Sequence, residues 1–297
     1  MKHTYKIIFL VSLLLVLAGC GGSNNSDGLN SNWKVGTEGV TMKFLESSPP
    51  NDIYAGEEYS LVLEMRNKGN YPDNDDDELD VTLFFSGFSR NLLSLDDDDS
   101  VSIEGGLSQT NQEGGVEYYE TNFDVELYSD ADSVPQNLKV TACYEYETKA
   151  AIDVCVDPDP IKNDEDSCNA GPIGGLGSQA APIAVTSVHQ ESLKGKARFT
   201  IKIQNVGPGT VFEESQCLNP DITNKNVVYI EEVYLGDEEL DCSPDERVRL
   251  VNGVGTLTCT ADNLNEGDPA YLESLGVHLS YNYKNSISKS MIVKRIE

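Results

Sequence analysis

The sequence predicts an all-β protein: two tandem antiparallel β-sandwiches that follow a targeting segment and a tether. Three observations carry this. First, Tyr59, Leu61, Leu63 and Met65 alternate with Ser60, Val62, Glu64 and Arg66, and Phe199, Ile201 and Ile203 alternate with Thr200, Lys202 and Gln204. A period of two marks a strand with one buried face. Second, no convincing run of helical period follows residue 38. Third, two segments recur. Leu61–Gly69 (LVLEMRNKG) matches Phe199–Gly207 (FTIKIQNVG), with Asn67 and Asn205 138 residues apart. Val140–Tyr146 (VTACYEY) matches Val277–Tyr283 (VHLSYNY), with Tyr144 and Tyr281 137 residues apart. Two matches at nearly one offset argue for a duplicated unit.

The elements follow in order. Each unit opens on an alternating strand, Val40, Met42 and Phe44 in the first and Ile183 and Val185 in the second. A turn at Gly56 or Gly195 leads into the strand that ends in Asn-x-Gly. Each unit closes on the Tyr-x-Tyr segment, which is expected to turn and run back as Ala151–Val156 or Ser288–Val293. A loop at Thr148–Ala150 would put Cys143 opposite Cys155, and the other unit has Ser280 and Ile292 in those places. The expected Cys143–Cys155 bridge would contribute about 3 kcal/mol in the chain-entropy picture. Asn252-Gly253 signals a tight hairpin between Arg247–Leu250 and Val254–Thr258. Cys242 and Cys259 lie near its open end and are expected to pair, which leaves Cys168 with Cys217. Between the units, residues 158–179 combine Asp-Pro repeats, an acidic run and a Gly-rich stretch, the composition of a linker.

At the N-terminus, Lys2 and Lys6 precede an apolar run from Ile7 to Leu17, too short to span a bilayer and suited to a signal-peptide core. The run ends in Leu17-Ala18-Gly19-Cys20, which resembles the lipobox of prokaryotic lipoproteins. The resemblance implies cleavage after residue 19 and a lipid on Cys20, with residues 20–37 as a flexible tether. The six further cysteines, an even number, suit an exported, oxidised protein.

Lys and Arg total 21 against 50 Asp and Glu, for a net charge of −29. Phosphate backbones need a cationic surface, so nucleic acid is excluded as a partner. With three histidines in the chain, of which His3 lies in the leader, a His-rich metal site or relay is disfavoured. His189 and His278 are scattered, and no G-x-S-x-G elbow exists. His278 alternates against Val277, Leu279, Tyr281 and Tyr283 and belongs on a wet face with Ser280, Asn282 and Lys284. The protein is expected to be no enzyme.

The succession of opening strand, Gly turn, Asn-x-Gly strand and Tyr-x-Tyr segment resembles the immunoglobulin-like repeats of prokaryotic surface proteins, including the cell-adhesion-related domains common in archaeal envelopes. The resemblance covers residues 38–157 and 180–297 and implies two immunoglobulin-like sandwiches without catalytic residues. It makes the chain a lipid-anchored envelope protein acting in adhesion, scaffolding or binding of a protein partner. The alternatives are a filament subunit or a binding module that uses acidic loops. Asp73, Asp75, Asp77 and Glu78 form one such loop, and Asp96 and Asp98 another. Ca²⁺ takes about six to eight oxygen ligands, and loops on sandwiches supply them. Neither run has the EF-hand pattern, and consecutive aspartates do not all point at one ion, so a solvated acidic surface is the simpler reading. No other cofactor is expected.

Overall fold

A computed structural model describes residues 35–74, 77–108, 110–128, 131–162, 168–212, 217–218 and 223–296. The leader, Cys20, most of the tether and Asp75 lie outside the described residues. All regular structure among the described residues is β-strand. The first half contains β1 (Val40–Phe44), β2 (Asp52–Tyr54), β3 (Glu58–Asn67), β4 (Glu78–Ser86), β5 (Asp98–Glu104), β6 (Val116–Asp124) and β7 (Ser133–Val156). The second contains β8 (Pro172–Gly174), β9 (Ile183–Leu193), β10 (Lys196–Asn205), β11 (Thr210–Phe212) and β12 (Val227–Leu235). After these come β13 (Glu238–Glu239), β14 (Asp241–Ser243), β15 (Arg247–Arg249), β16 (Val254–Ala261) and β17 (Tyr271–Lys294).

Three sheets result. One is β1-β3-β6, and a second is β14-β16-β10-β9-β8. The third runs β13-β12-β17-β7-β4-β5, with β2 and β11 on β17 and β15 on β12. Pairing is antiparallel except for β2 against β17. The alternation in β3 and β10 has the expected result: Leu61, Leu63, Met65, Phe199, Ile201 and Ile203 are fully buried in one continuous core.

β7 and β17 form the spine. Each is 24 residues long, and they pair from Val156↔Tyr271 to Ser133↔Lys294 with no register shift. The expected return hairpins are therefore absent. Thr148–Ala150 sits inside β7, where Tyr146, Thr148, Ala150, Ile152 and Val154 are buried and Glu145, Lys149, Ala151 and Asp153 are exposed. An unbroken alternation with no Gly, Pro or Asn at the supposed turn gives the chain no reason to reverse.

The continuous strands interlock the halves. Beyond the ladder's middle, β7 runs against the second half, where Thr148 Oγ1 donates to the Ile183 carbonyl at 2.7 Å. There the buried Gln190 side chain accepts from Cys155 N (3.2 Å) and donates to Cys155 O (2.8 Å). β17 runs in turn against the first half, where Asn285 Nδ2 donates to the Val40 carbonyl at 2.7 Å and β2 pairs with Ile292–Lys294. The described residues pack as one compact unit. In the stretch 158–179, read from composition as a linker, the described residues 172–179 are built into the second half: β8 extends the sheet at β9, and Gln179 binds both backbone groups of Val185.

The disulfides follow this topology. Cys143 and Cys155 lie twelve residues apart on one straight strand, so they cannot bond to each other, and the expected bridge is corrected. Cys143 joins Cys217, and Cys155 joins Cys168. The pairing of Cys168 with Cys217, reached by elimination, falls with it. Cys242 joins Cys259, its direct partner in the β14–β16 register.

Candidate functional site

The middle of the β7–β17 ladder has two unlike faces. On the inner face, Tyr144, Tyr146, Tyr281 and Tyr283 are buried side by side, with ring centroids 5.7–6.3 Å apart. Their hydroxyls organise the Asn-x-Gly turns. Tyr146 donates to Asn67 Oδ1 at 2.9 Å, and Asn67 Nδ2 donates to the Tyr71 carbonyl at 2.6 Å. Tyr283 donates to Asn205 Oδ1 at 3.1 Å, and Asn205 Nδ2 donates to the Gly209 carbonyl at 3.0 Å. The Val40 amide donates to Tyr144 Oη at 3.0 Å, and the Ile183 amide to Tyr281 Oη at 3.4 Å. A Cβ on Gly69 or Gly207 would collide with the hydroxyl of Tyr146 or Tyr283, which is why each turn has glycine there. Burial raises the phenol pKa of all four, that of Tyr283 to about 12. These residues hold the two halves in register and are no ligand platform.

The outer face is polar and concave. Glu145 and Glu147 of β7 stand beside Ser280 and Asn282 of β17, and two neighbouring cavities of about 390 and 340 Å³ flank them. The first is lined by Glu78, Asp80, Phe84, Phe212 and the Cys143–Cys217 bridge, the second by Tyr229 and Glu231; Tyr71 borders both. His278 Nε2 lies 2.8 Å from Glu147 Oε2, and Nδ1 lies 3.7 Å from Glu232. The Ser280 hydroxyl donates to Glu231, not to the imidazole. Serine, histidine and acid thus share a face without a nucleophile–base bond, the first geometric need of a hydrolytic relay.

The acidic loops stay apart. Asp73 is ion-paired with Lys149 at 3.0 Å, and Asp77 accepts from Asn74 at 3.3 Å. Glu78 begins β4 opposite Glu104, whereas Asp98 pairs with Phe84 at the far end of that hairpin. Six residues of strand separate the two loops, roughly 20 Å. Asp96 lies exposed just before β5; within the same run Asp97 pairs with Arg90, and Asp99 accepts from Tyr119 at 2.9 Å. Among the described residues no group of three or more His, Cys, Asp or Glu is arranged to hold a metal ion. The outer-face groove was missed in the sequence because its members come from strands whose pairing was not foreseen; the one signal was the alternation that set His278, Ser280 and Asn282 together.

Three disulfides indicate an oxidising, extracytoplasmic setting. Among the described residues no helix is long and apolar enough to cross a membrane. No family model matches the chain, and no curated protein does. Two solved structures show a faint likeness. The secreted serine protease VesC from Vibrio cholerae is 10% identical over 82% of this chain and 50% of its own, with a TM-score of 0.19. A protein named pT26-6p is 10% identical over 82% of this chain and 63% of its own, with a TM-score of 0.20. The chain therefore spans half to under two thirds of these neighbours, and scores this low carry no argument about fold or activity.

Proposed function

We propose that the protein is a non-enzymatic, lipid-anchored envelope protein, built from two duplicated immunoglobulin-like halves, that binds a protein partner. The observation that carries this reading is the placement of the outer-face groove relative to the start of the fold. Gly36 N bonds Ser178 Oγ at 2.8 Å, and Val40 N bonds the inward-facing Tyr144. The chain thus enters at the inner face of the ladder's middle, and the concave acidic face points the other way. A tether from Cys20 would present that face outward. The duplication is supported by the matching Tyr–Asn–Gly hydrogen bonds in both halves.

Two measurements test the reading. Fractionation of cells should find the full chain with the membrane and the Cys20→Ser form released. Chemical cross-linking on intact envelopes should yield a discrete protein adduct. A soluble wild-type chain would overturn the anchor, and the absence of any adduct would overturn the binding role.

A further inference from the structure

The two halves differ at one sheet edge. In the second half, β8 pairs with β9 at Ser187–His189, and Ile173 and Leu176 pack on the core beside it. Beneath this cover Val185, Val188, Ala150 and Ile152 are all buried. Their counterparts in the first half, by register against β3 and along β17, are Met42, Phe44, Ile287 and Lys289. All four face the core, yet all four remain partly exposed. Among the described residues no strand lies on the outer edge of β1, which ends its sheet.

The backbone shows the same gap. The N–H and C=O of Val40 point away from β3 and are taken by Tyr144 and Asn285. Strand alternation directs those of Met42 and Phe44 the same way, and no partner for them exists among the described residues. Lys289 lies at this corner with its ammonium 5.7 Å from the centre of the Phe44 ring, and among the described residues no carboxylate forms an ion pair with it. In a chain of net charge −29 it is a local cation without a counter-ion among the described residues.

We propose that the outer edge of β1 accepts an extended strand from a partner polypeptide, one that carries apolar residues toward Met42, Phe44 and Ile287 and a carboxylate toward Lys289. The added strand would occupy on β1 the place that β8 holds on β9. Main-chain bonds to Met42 and Phe44 supply affinity, and the Lys289 contact supplies selection. Burial lowers the Lys289 pKa with nothing to offset it, in keeping with a charge awaiting its partner. This inference rests on the partner-binding reading above and adds to it a contact distinct from the outer-face groove.

The test uses the full chain and a synthetic peptide, acetyl-Thr-Val-Ile-Asp-Val-Thr-amide, followed by amide hydrogen exchange. In the free protein, Met42 and Phe44 should exchange about tenfold or more faster than Val188. The peptide should slow them by a similar factor. Lys289→Gln, or Asn in place of Asp in the peptide, should weaken binding about threefold. Protection of Met42 and Phe44 without peptide would show that the chain fills its own edge and would overturn the proposal. Peptide binding that leaves these amides fast would overturn it too. A cross-linked envelope partner that the peptide does not displace would sink the edge site while leaving the partner-binding reading in place.

Discussion

Glu145 of β7 lies directly opposite Asn282 of β17, and the two are also counterparts in the recurring Tyr-x-Tyr segment, 137 residues apart. A half-turn that exchanges the strands therefore leaves this pair in place and swaps Tyr144↔Tyr283 with Tyr146↔Tyr281. The ladder's centre is a local two-fold axis. On one side of it stand four buried phenols, and on the other a groove of carboxylates and amides.

The glycine of Asn-x-Gly should be irreplaceable at this axis. Gly69→Ala forces a methyl into the Tyr146 hydroxyl and the Ala180 carbonyl. We expect a loss of about 1–3 kcal/mol, the usual cost of overpacking, with Gly207→Ala similar. Urea unfolding of the purified variants measures it. A change smaller than the error of extrapolation at both sites would refute the steric account.

The tyrosines set a pH limit. Each phenol is held neutral by burial, so its folded pKa lies above the ordinary value of 10. Their contribution to stability is complete below pH 10 and declines as pH rises toward and past about 12, where Tyr283 titrates. Absorbance at 295 nm should show these four of the fourteen tyrosines, together with the likewise buried Tyr119, ionising with unfolding. Smooth early titration of all fourteen would contradict the burial.

Of the three bridges, Cys143–Cys217 closes the longest loop, with a separation of 74 against 13 and 17. Chain entropy assigns it about 4.5 kcal/mol and the others about 3. The double variant C143S/C217S should therefore melt below C155S/C168S and C242S/C259S. The reverse order would mean that the Cys155 clasp, at the meeting of the halves, matters more than loop length.

Millimolar Ca²⁺ at constant ionic strength should leave the melting temperature unchanged, because Asp73 already serves Lys149 and the second acidic run stands at the other end of the β4–β5 hairpin. Added NaCl should raise it by screening a surface of like charge. A rise specific to Ca²⁺ would return the loop of Asp73, Asp77 and Glu78 to consideration as a site.

Local chemistry was legible in the sequence, and long-range chemistry was not. The alternation of β3 and β10 appears as written, and so does the wet face of His278. The Asn-x-Gly and Tyr-x-Tyr segments were visible as recurrences, but nothing in either shows that Tyr146 reaches Asn67 across 79 residues. The closing strands were misread because strands usually run to about ten residues, and 24 invites a fold-back. A turn at Thr148–Ala150 would also set Cys143 against Cys155, an opposition of residue numbers that the straight strand does not realise. Groove and disulfides depend on which strand lies beside which, and residue pattern alone does not state that.

The β7–β17 ladder also dictates an order of assembly. Val156 waits for Tyr271, and Ser133 for Lys294, so every rung joins residues more than a hundred positions apart. The first half of the chain lacks the wall supplied by Asn285–Lys294 until β17 has been delivered. Contacts this distant close slowly, and the early strands stay open meanwhile. A chain of this design suits export in an unfolded state, with β17 acting as the latch that lets both halves condense at once.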